Sequence, residues 1–354
     1  MQKIGSYEFS LDKQYLLGEG SFSTVYLGKY IGQDNKYIKN NTYIAIKIIN
    51  KNSLTPNGNK IIDDEMEIMN IIKNNPHPNI VECYDVIKTP NNVYIIMEYC
   101  DSGDLRTIIR KPIQEKFIQF YFSQLANGLK FLNCKGIIHR DIKPKNILLT
   151  NQNRILKIAD FGFAKLSQEH DLYETICGSP LYMAPEMLKH LQYNKQTDLW
   201  SIGMILYEML YGTHPFHNCK SIPELKNIIE TIVLDIPPNN NRNKQVSKEC
   251  LNLLKMLLQK DVTRRINWDD FFDHTWINKL SFQNNDISIK SDKSNPTTSL
   301  VEVTNVENLD YSAKLNIINN YYDNYIKTNK SICLDKNLID KGEDEIFQFE
   351  YINS

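Results

Sequence analysis

Apolar and polar residues alternate along the first hundred positions in short runs that read as strands. Tyr15-Leu16-Leu17 is apolar, Gly18-Glu19-Gly20-Ser21 turns, and Thr24-Val25-Tyr26-Leu27 runs back. A polar insertion, Gln33 to Asn41, predicts an exposed loop, and Tyr43 to Ile49 is a β-branched run carrying one charge, Lys47. Ile61, Ile62, Met66, Met69 and Ile72 then recur at helical spacing. Val93 to Met97 is a further strand, followed by Glu98-Tyr99-Cys100 and a turn at Asp101-Ser102-Gly103. Beyond it the period changes. Phe117, Tyr121, Leu125, Leu129 and Leu132 mark an amphipathic helix. Ile147 to Leu149 and Leu156 to Ile158 read as short buried strands, and Asp198 to Leu210 is apolar nearly all round, as in a central helix. Leu251 to Leu258 and Trp268 to Trp276 supply more helix. The pattern predicts an α+β chain: a small sheet-rich lobe over about 15–97 with one main helix, a connector at about 98–103, and a larger, mainly helical lobe over about 104–277.

Past Trp276 the composition shifts. Phe282 to Ser299 is rich in Asn, Asp, Ser, Lys and Thr and reads as a flexible linker. Tyr311 to Tyr325 has some helical patterning, and Gly342-Glu343-Asp344-Glu345 is acidic. The tail, 278–354, is expected to be partly flexible and to pack on the main domain rather than form a second catalytic unit. No internal repeat is visible.

At 354 residues and 42% hydrophobic content the chain supports a substantial core, and its net charge of -1 argues against bulk attraction to nucleic acid or anionic membrane. Seven scattered cysteines without metal-ligand or redox spacing suit a reducing, cytoplasmic compartment. Met1-Gln2-Lys3-Ile4 opens no signal segment, Gln2 stands where myristoylation needs glycine, and Tyr351 to Ser354 is no prenylation box. No apolar run approaches the roughly 20 residues of a membrane helix.

The chemistry concentrates in His139-Arg140-Asp141-Ile142-Lys143-Pro144-Lys145-Asn146. Pro144 bars regular helix, and the resulting loop can aim Asp141 at a hydroxyl, Lys143 at a phosphate and Asn146 at a metal ion. Lys47, amid apolar neighbours, needs a partner if buried. Glu65 and Glu67 compete for it; Glu65 is preferred, because apolar residues three, four and seven positions beyond it turn that face inward. The glycines of Gly18-Glu19-Gly20 permit close approach to a ligand, although a third glycine is replaced by Ser23.

In order, Gly18 to Val25, Ile44-Ala45-Ile46-Lys47, His139 to Asn146, Asp160-Phe161-Gly162 and Ala184-Pro185-Glu186 resemble the motif set of the eukaryotic protein kinases, over about residues 15–277. The resemblance implies the two-lobed kinase fold, ATP and Mg²⁺ as cofactors, and proteins bearing Ser or Thr as substrates. It implies an ATP site at Leu17, Gly18, Glu19, Gly20, Ser21, Phe22, Ser23, Thr24, Val25, Ala45, Lys47, Glu65, Glu98, Cys100, Asp104 and Leu148. By the same likeness Asn146 and Asp160 hold the metal, Asp141 orients the substrate hydroxyl and Lys143 steadies the γ-phosphate. His139 packs beneath Phe161, Asp198 holds the catalytic loop, and Glu186 pairs with Arg265. Arg140 gathers an activation-segment phosphate, for which Thr175 sits at the matching position. Lys143 and Gly178-Ser179-Pro180-Leu181-Tyr182 follow the serine/threonine pattern. Glu98-Tyr99-Cys100, Gly136-Ile137-Ile138 and Cys177 to Met183 are most similar to the autophagy-initiating kinases of the ULK family. Those kinases carry a long linker and a helical regulatory domain, for which 278–354 is too short. The rival is a pseudokinase scaffold, against which Lys47, Asp141 and Asp160 all stand intact.

Overall fold

The structure, a computed structural model, describes residues 1–20, 23–53, 56–166, 178–189, 191–241 and 244–278. In the small lobe these form β1 (Gln2–Ile4), β2 (Tyr7–Phe9), β3 (Leu16–Glu19), β4 (Ser23–Tyr30), β5 (Tyr43–Asn50), α1 (Pro56–Asn74), β6 (Cys83–Lys88) and β7 (Asn92–Glu98). All the strands join one antiparallel sheet in the order β1-β2-β4-β5-β7-β6, with β3 paired to β4 beside β2.

Side-chain parity on β5 assigns the two faces of this sheet. Ile44 and Ile46 point into a small core with Tyr7, Phe9, Tyr30, Ile38 and Ile96, whereas Ile49 joins the main core under α1. Lys47 shares the parity of Ala45 and Ile49, so the strand itself turns the one charge toward the helix and the lobe junction. Val25 lies opposite Lys47 and Leu27 opposite Ala45.

The sheet starts earlier than the strand read at Tyr15. Gly5, at φ +55°, makes a two-residue hairpin turn that pairs Ile4 with Tyr7 and lets Tyr7 and Phe9 cover the outer face. Gly18 lies within β3, so the turn falls later than the sequence suggested. The insertion before β5 is tethered: Asn35 Oδ1 accepts from the backbone N–H groups of Tyr37 and Ile38, and Ile38 is buried.

The large lobe comprises α2 (Arg106–Ile109), α3 (Glu115–Cys134), β8 (Ile137–Ile138), β9 (Ile147–Thr150), β10 (Ile155–Ile158), β11 (Lys165–Leu166), α4 (Pro185–Leu188), α5 (Thr197–Tyr211), α6 (Ile222–Thr231), α7 (Lys248–Leu257), α8 (Trp268–Phe272) and α9 (Thr275–Asn278). Helix α5 runs through the centre, buried on nearly every side, and ends on Gly212 at φ +79°, a left-handed cap. The segment behind α1 is fastened to this lobe. Val81 N–H donates to Ile158 O and Ile158 N–H to Asn79 O, both at 2.9 Å. The fully buried Asn79 side chain donates to Gln124 Oε1 and Leu156 O.

Arg265 forms a two-pronged ion pair with Glu186 at 2.7 and 2.9 Å, and its side chain has no exposed surface. Replacing Arg265 with Ala leaves that carboxylate buried without its counter-ion. A loss of about 3–5 kcal/mol is expected in denaturant unfolding, and a loss below 1 kcal/mol would contradict the pairing.

Candidate active site

Three elements converge on Lys47. Its Nζ lies 2.7 Å from Glu65 Oε1 on α1 and 2.9 Å from Asp160 Oδ1 beyond β10. Glu67, the rival acid, is exposed. Burial alone would lower the pKa of the Lys47 ammonium, but the Asp160 and Glu65 carboxylates outweigh it and hold the amine protonated. The same cation keeps the Asp160 carboxyl well below the usual range, against the opposing effect of partial desolvation by the surrounding protein, although nearly half of its side chain is exposed. Asp160 sits at φ +61°, a conformation that costs free energy for any residue but glycine and persists only under surrounding constraint. Gly162 leaves room there: a Cβ on it would stand 3.3 Å from Lys47 Nζ.

The loop after β8 supplies the second group. Asp198, at the buried start of α5, accepts from the backbone N–H groups of His139 and Arg140, each at 2.9 Å. Those bonds hold the turn in which Arg140 takes φ +64°. The His139 ring packs 5.2 Å from that of Phe161, and its Nε2 is 3.0 Å from Ala159 O. Asp141 Oδ1 accepts from Ser179 N–H at 2.8 Å. Its Oδ2 accepts from Asn146 Nδ2 at 2.9 Å and lies 3.0 Å from Lys143 Nζ. Lys143 Nζ also donates to Ser179 Oγ at 2.5 Å. Ser179 N–H, Asn146 Nδ2 and Lys143 Nζ together fix the Asp141 carboxylate.

Sequence reasoning missed two contributors. Ser179 touches both Asp141 and Lys143 yet was read only as part of a pattern. Gly178 takes φ +97°, and a Cβ there would lie 2.5 Å from Arg140 O, so the backbone of the activation segment can approach the loop only at glycine. The Gly178-Ser179-Pro180 tripeptide was the available signal.

The remaining candidates are spread around this centre. Leu17, Gly18, Glu19 and Gly20 lie at the end of β3 and its turn, and Ser23, Thr24 and Val25 on β4; Ser21, Phe22 and Thr175 fall outside the described residues. Ala45 is buried on β5, and Leu148 of β9 bridges to Asp104. Glu98 directs its carboxylate to Lys157 at 2.7 Å, and Asp104 accepts from Arg106 Nε and Nη2 at 3.0 and 2.8 Å. Cys100 is part-buried. Arg140 Nε donates to Phe163 O at 2.6 Å. Among the described residues no helix is long and apolar enough to cross a membrane.

The protein kinase domain model matches residues 11–277. Serine/threonine-protein kinase atg1 of Dictyostelium discoideum is 42% identical over 293 residues, covering 81% of this chain and 41% of the relative. Serine/threonine-protein kinase ULK3 of Homo sapiens is 40% identical over 265 residues, 74% of this chain and 53% of the relative. Serine/threonine-protein kinase unc-51 of Caenorhabditis elegans is 36% identical over 288 residues, 78% of this chain and 32% of the relative. The chain therefore spans from about a third to about half the length of these relatives. With its two-lobed α+β fold and this run of similarity, the chain belongs to the protein kinase family, alongside the ULK and Atg1 serine/threonine kinases.

Proposed function

We propose that this protein transfers the γ-phosphate of ATP to serine and threonine hydroxyls of other proteins. The observation that supports the reading is the grouping of Lys47 with Glu65 and Asp160, and of Asp141 with Asn146 and Lys143, on either side of the bond between Ala159 N–H and Asn146 O. Phosphoryl transfer asks a protein mainly for position and for charge beside a polyanion. Lys47, held protonated, suits the α- and β-phosphates. Asp141 suits the substrate hydroxyl, accepting its proton while Lys143 faces the transferred group.

The residues fit a hard divalent cation. Asp160 is half exposed and its protein contacts run through Oδ1, while Asn146 donates through Nδ2 and keeps its amide oxygen for a metal. Two oxygen donors are no all-protein cage; Mg²⁺ typically combines one or two such ligands with substrate phosphates. Asp160 and Asn146 would hold such an ion, which would supply positive charge beside the phosphates. Incubation of the purified protein with labelled ATP, Mg²⁺ and a mixed protein substrate tests the reading. Label is expected on Ser and Thr; nucleotide binding without transfer would favour the pseudokinase scaffold.

Regulation by phosphorylation of Thr175 belongs to the same proposal. A phosphate there would add roughly -1.5 to -2 charges for Arg140 to gather; Arg140 Nε donates to Phe163 O, at the start of the segment that continues to Thr175. Thr175→Ala is expected to lower activity by about tenfold, the worth of one charge-assisted hydrogen bond. Equal activity of fully phosphorylated wild-type protein and the variant would dismiss the switch.

A further inference from the structure

The large lobe holds a cavity of about 270 Å³ between the end of α3, β8, the start of α5 and α8. Leu129, Leu132, Ile137, Ile138 and Trp268 line it together with Asn133, Lys195 and Asp198, so its surface is mixed and slightly more polar than apolar, and the exposed Cys134 stands on its lining. The cavity is smaller than the ~300–1,000 Å³ of drug-sized ligand sites, which fits one or two inserted side chains better than a whole cofactor.

The chain itself carries a matching element. Tyr311, Leu315, Ile318, Tyr322 and Tyr325 repeat at alternating steps of four and three residues, with Lys314, Asn319, Asp323 and Asn324 between them. That spacing predicts an amphipathic helix with a tyrosine-rich stripe, a face that needs a partner. Tyrosine brings both an apolar ring and a hydroxyl that can donate or accept, which suits a lining of leucine and isoleucine with Asn133, Lys195 and Asp198.

The route is short. Asn278, the last described residue, donates to Phe272 O, and the Phe272 ring stacks 5.4 Å from Trp268, the cavity wall. Trp276 packs on Phe122 of α3, and Leu129 and Leu132 lie seven and ten residues along that helix, about 10–15 Å away at 1.5 Å per residue. The 32 residues 279–310 have, as a flexible chain, a root-mean-square span of about 30 Å, ample for the gap. Tethering of this kind supplies an effective concentration in the mM range, so a contact of modest affinity is occupied within one chain.

We propose that the segment 311–326 docks on the large lobe of its own chain, inserting a tyrosine of its stripe into the cavity walled by Trp268, Leu132 and Ile138. The occupant touches Asp198 and β8, the supports of the His139-Arg140-Asp141 turn, so docking buttresses that turn from behind.

The test uses the full chain at concentrations where it is monomeric, and reads contact rather than activity. Alkylation of Cys134 by N-ethylmaleimide is followed by peptide mass spectrometry. The Leu315→Asp/Ile318→Asp double variant is expected to label about tenfold faster than wild type, as for a site nine-tenths occupied through tethering. Tyr322→Ala is the milder second variant and should raise the rate in the same direction. A short amine-reactive cross-linker should join Lys195 to Lys314 or Lys327 in wild type and not in the double variant. Equal Cys134 rates with no Lys195-to-tail link would overturn the proposal. So would links found only between isotopically heavy and light copies, which would make the occupant a second molecule.

Discussion

Asp141→Asn is expected to reduce phosphoryl transfer by about 10²–10⁴, the usual worth of a positioned general base, with little change in ATP affinity. The expectation follows from what surrounds the carboxylate. Its two oxygens accept from Ser179 N–H and Asn146 Nδ2 and lie beside Lys143 Nζ. An amide can offer only one oxygen to these donors, so its NH₂ group must face at least one of them, and it cannot take up a hydroxyl proton. The nucleotide side of the site, Lys47 with Asp160, does not touch Asp141 directly and should keep its grip. Steady-state kinetics separate the two effects: a fallen kcat with a retained KM for ATP is the expected signature. A variant with wild-type kcat would remove Asp141 from the chemistry.

Lys47→Met should abolish transfer and also weaken the fold. The substitution removes the cation between two acids, one of which, Glu65, is 4% exposed. Breaking a buried pair from one side costs about 3–5 kcal/mol, because the surviving charge is stranded. The loss should depend on pH. Burial raises the Glu65 carboxyl even with Lys47 present, and without the lysine nothing comparable opposes that rise. A carboxyl whose folded pKa lies above its unfolded value binds more protons when folded, so it detracts from stability above the unfolded pKa and is relieved as pH falls. The deficit of Lys47→Met relative to wild type should therefore shrink on going from neutral pH toward the carboxylate range. Lys47→Met/Glu65→Gln should recover part of it. Urea melts at several pH values check both; a double variant as unstable as the sum of two independent losses would contradict the coupling.

The parts of the molecule legible in the sequence were those where one physical demand dominates. The run around Lys47 is β-branched and apolar but for one charge, the stripe from Phe117 to Leu132 has period near 3.6, and α5 is apolar nearly all round; α1, α3 and α5 extend a few residues beyond those patterns. The preference for Glu65 over Glu67 came from the same reasoning about faces. Some elements escaped. Helix α6 carries Ile222, Leu225, Ile228 and Ile229 at helical spacing, a stripe that packs on the main core and was present to be read. Its start is marked too, because Ser221 Oγ accepts from Glu224 N–H while Glu224 accepts from Lys220 N–H, and that Ser-x-x-Glu spacing was equally present. The β1–β2 hairpin has three-residue strands, below the length at which alternation is convincing, and only Gly5-Ser6 hinted at its turn. Ser179 and Gly178 depend on a contact between segments about forty positions apart, which local pattern does not encode.

The fastening behind α1 sets how the small lobe's helix can travel. With Asn79 and Val81 stitched to β10, the C-terminal end of α1 is a fulcrum and its N-terminal end the free arm. Glu65 lies nine residues before Asn74, about 14 Å out along the arm at 1.5 Å per residue. On that lever a swing of about 15° carries its carboxylate some 3–4 Å, by simple geometry from the same rise, enough to part it from Lys47. A small angular displacement at the far side of the helix, with no sliding and no unwinding, is all that is needed to disengage the ammonium.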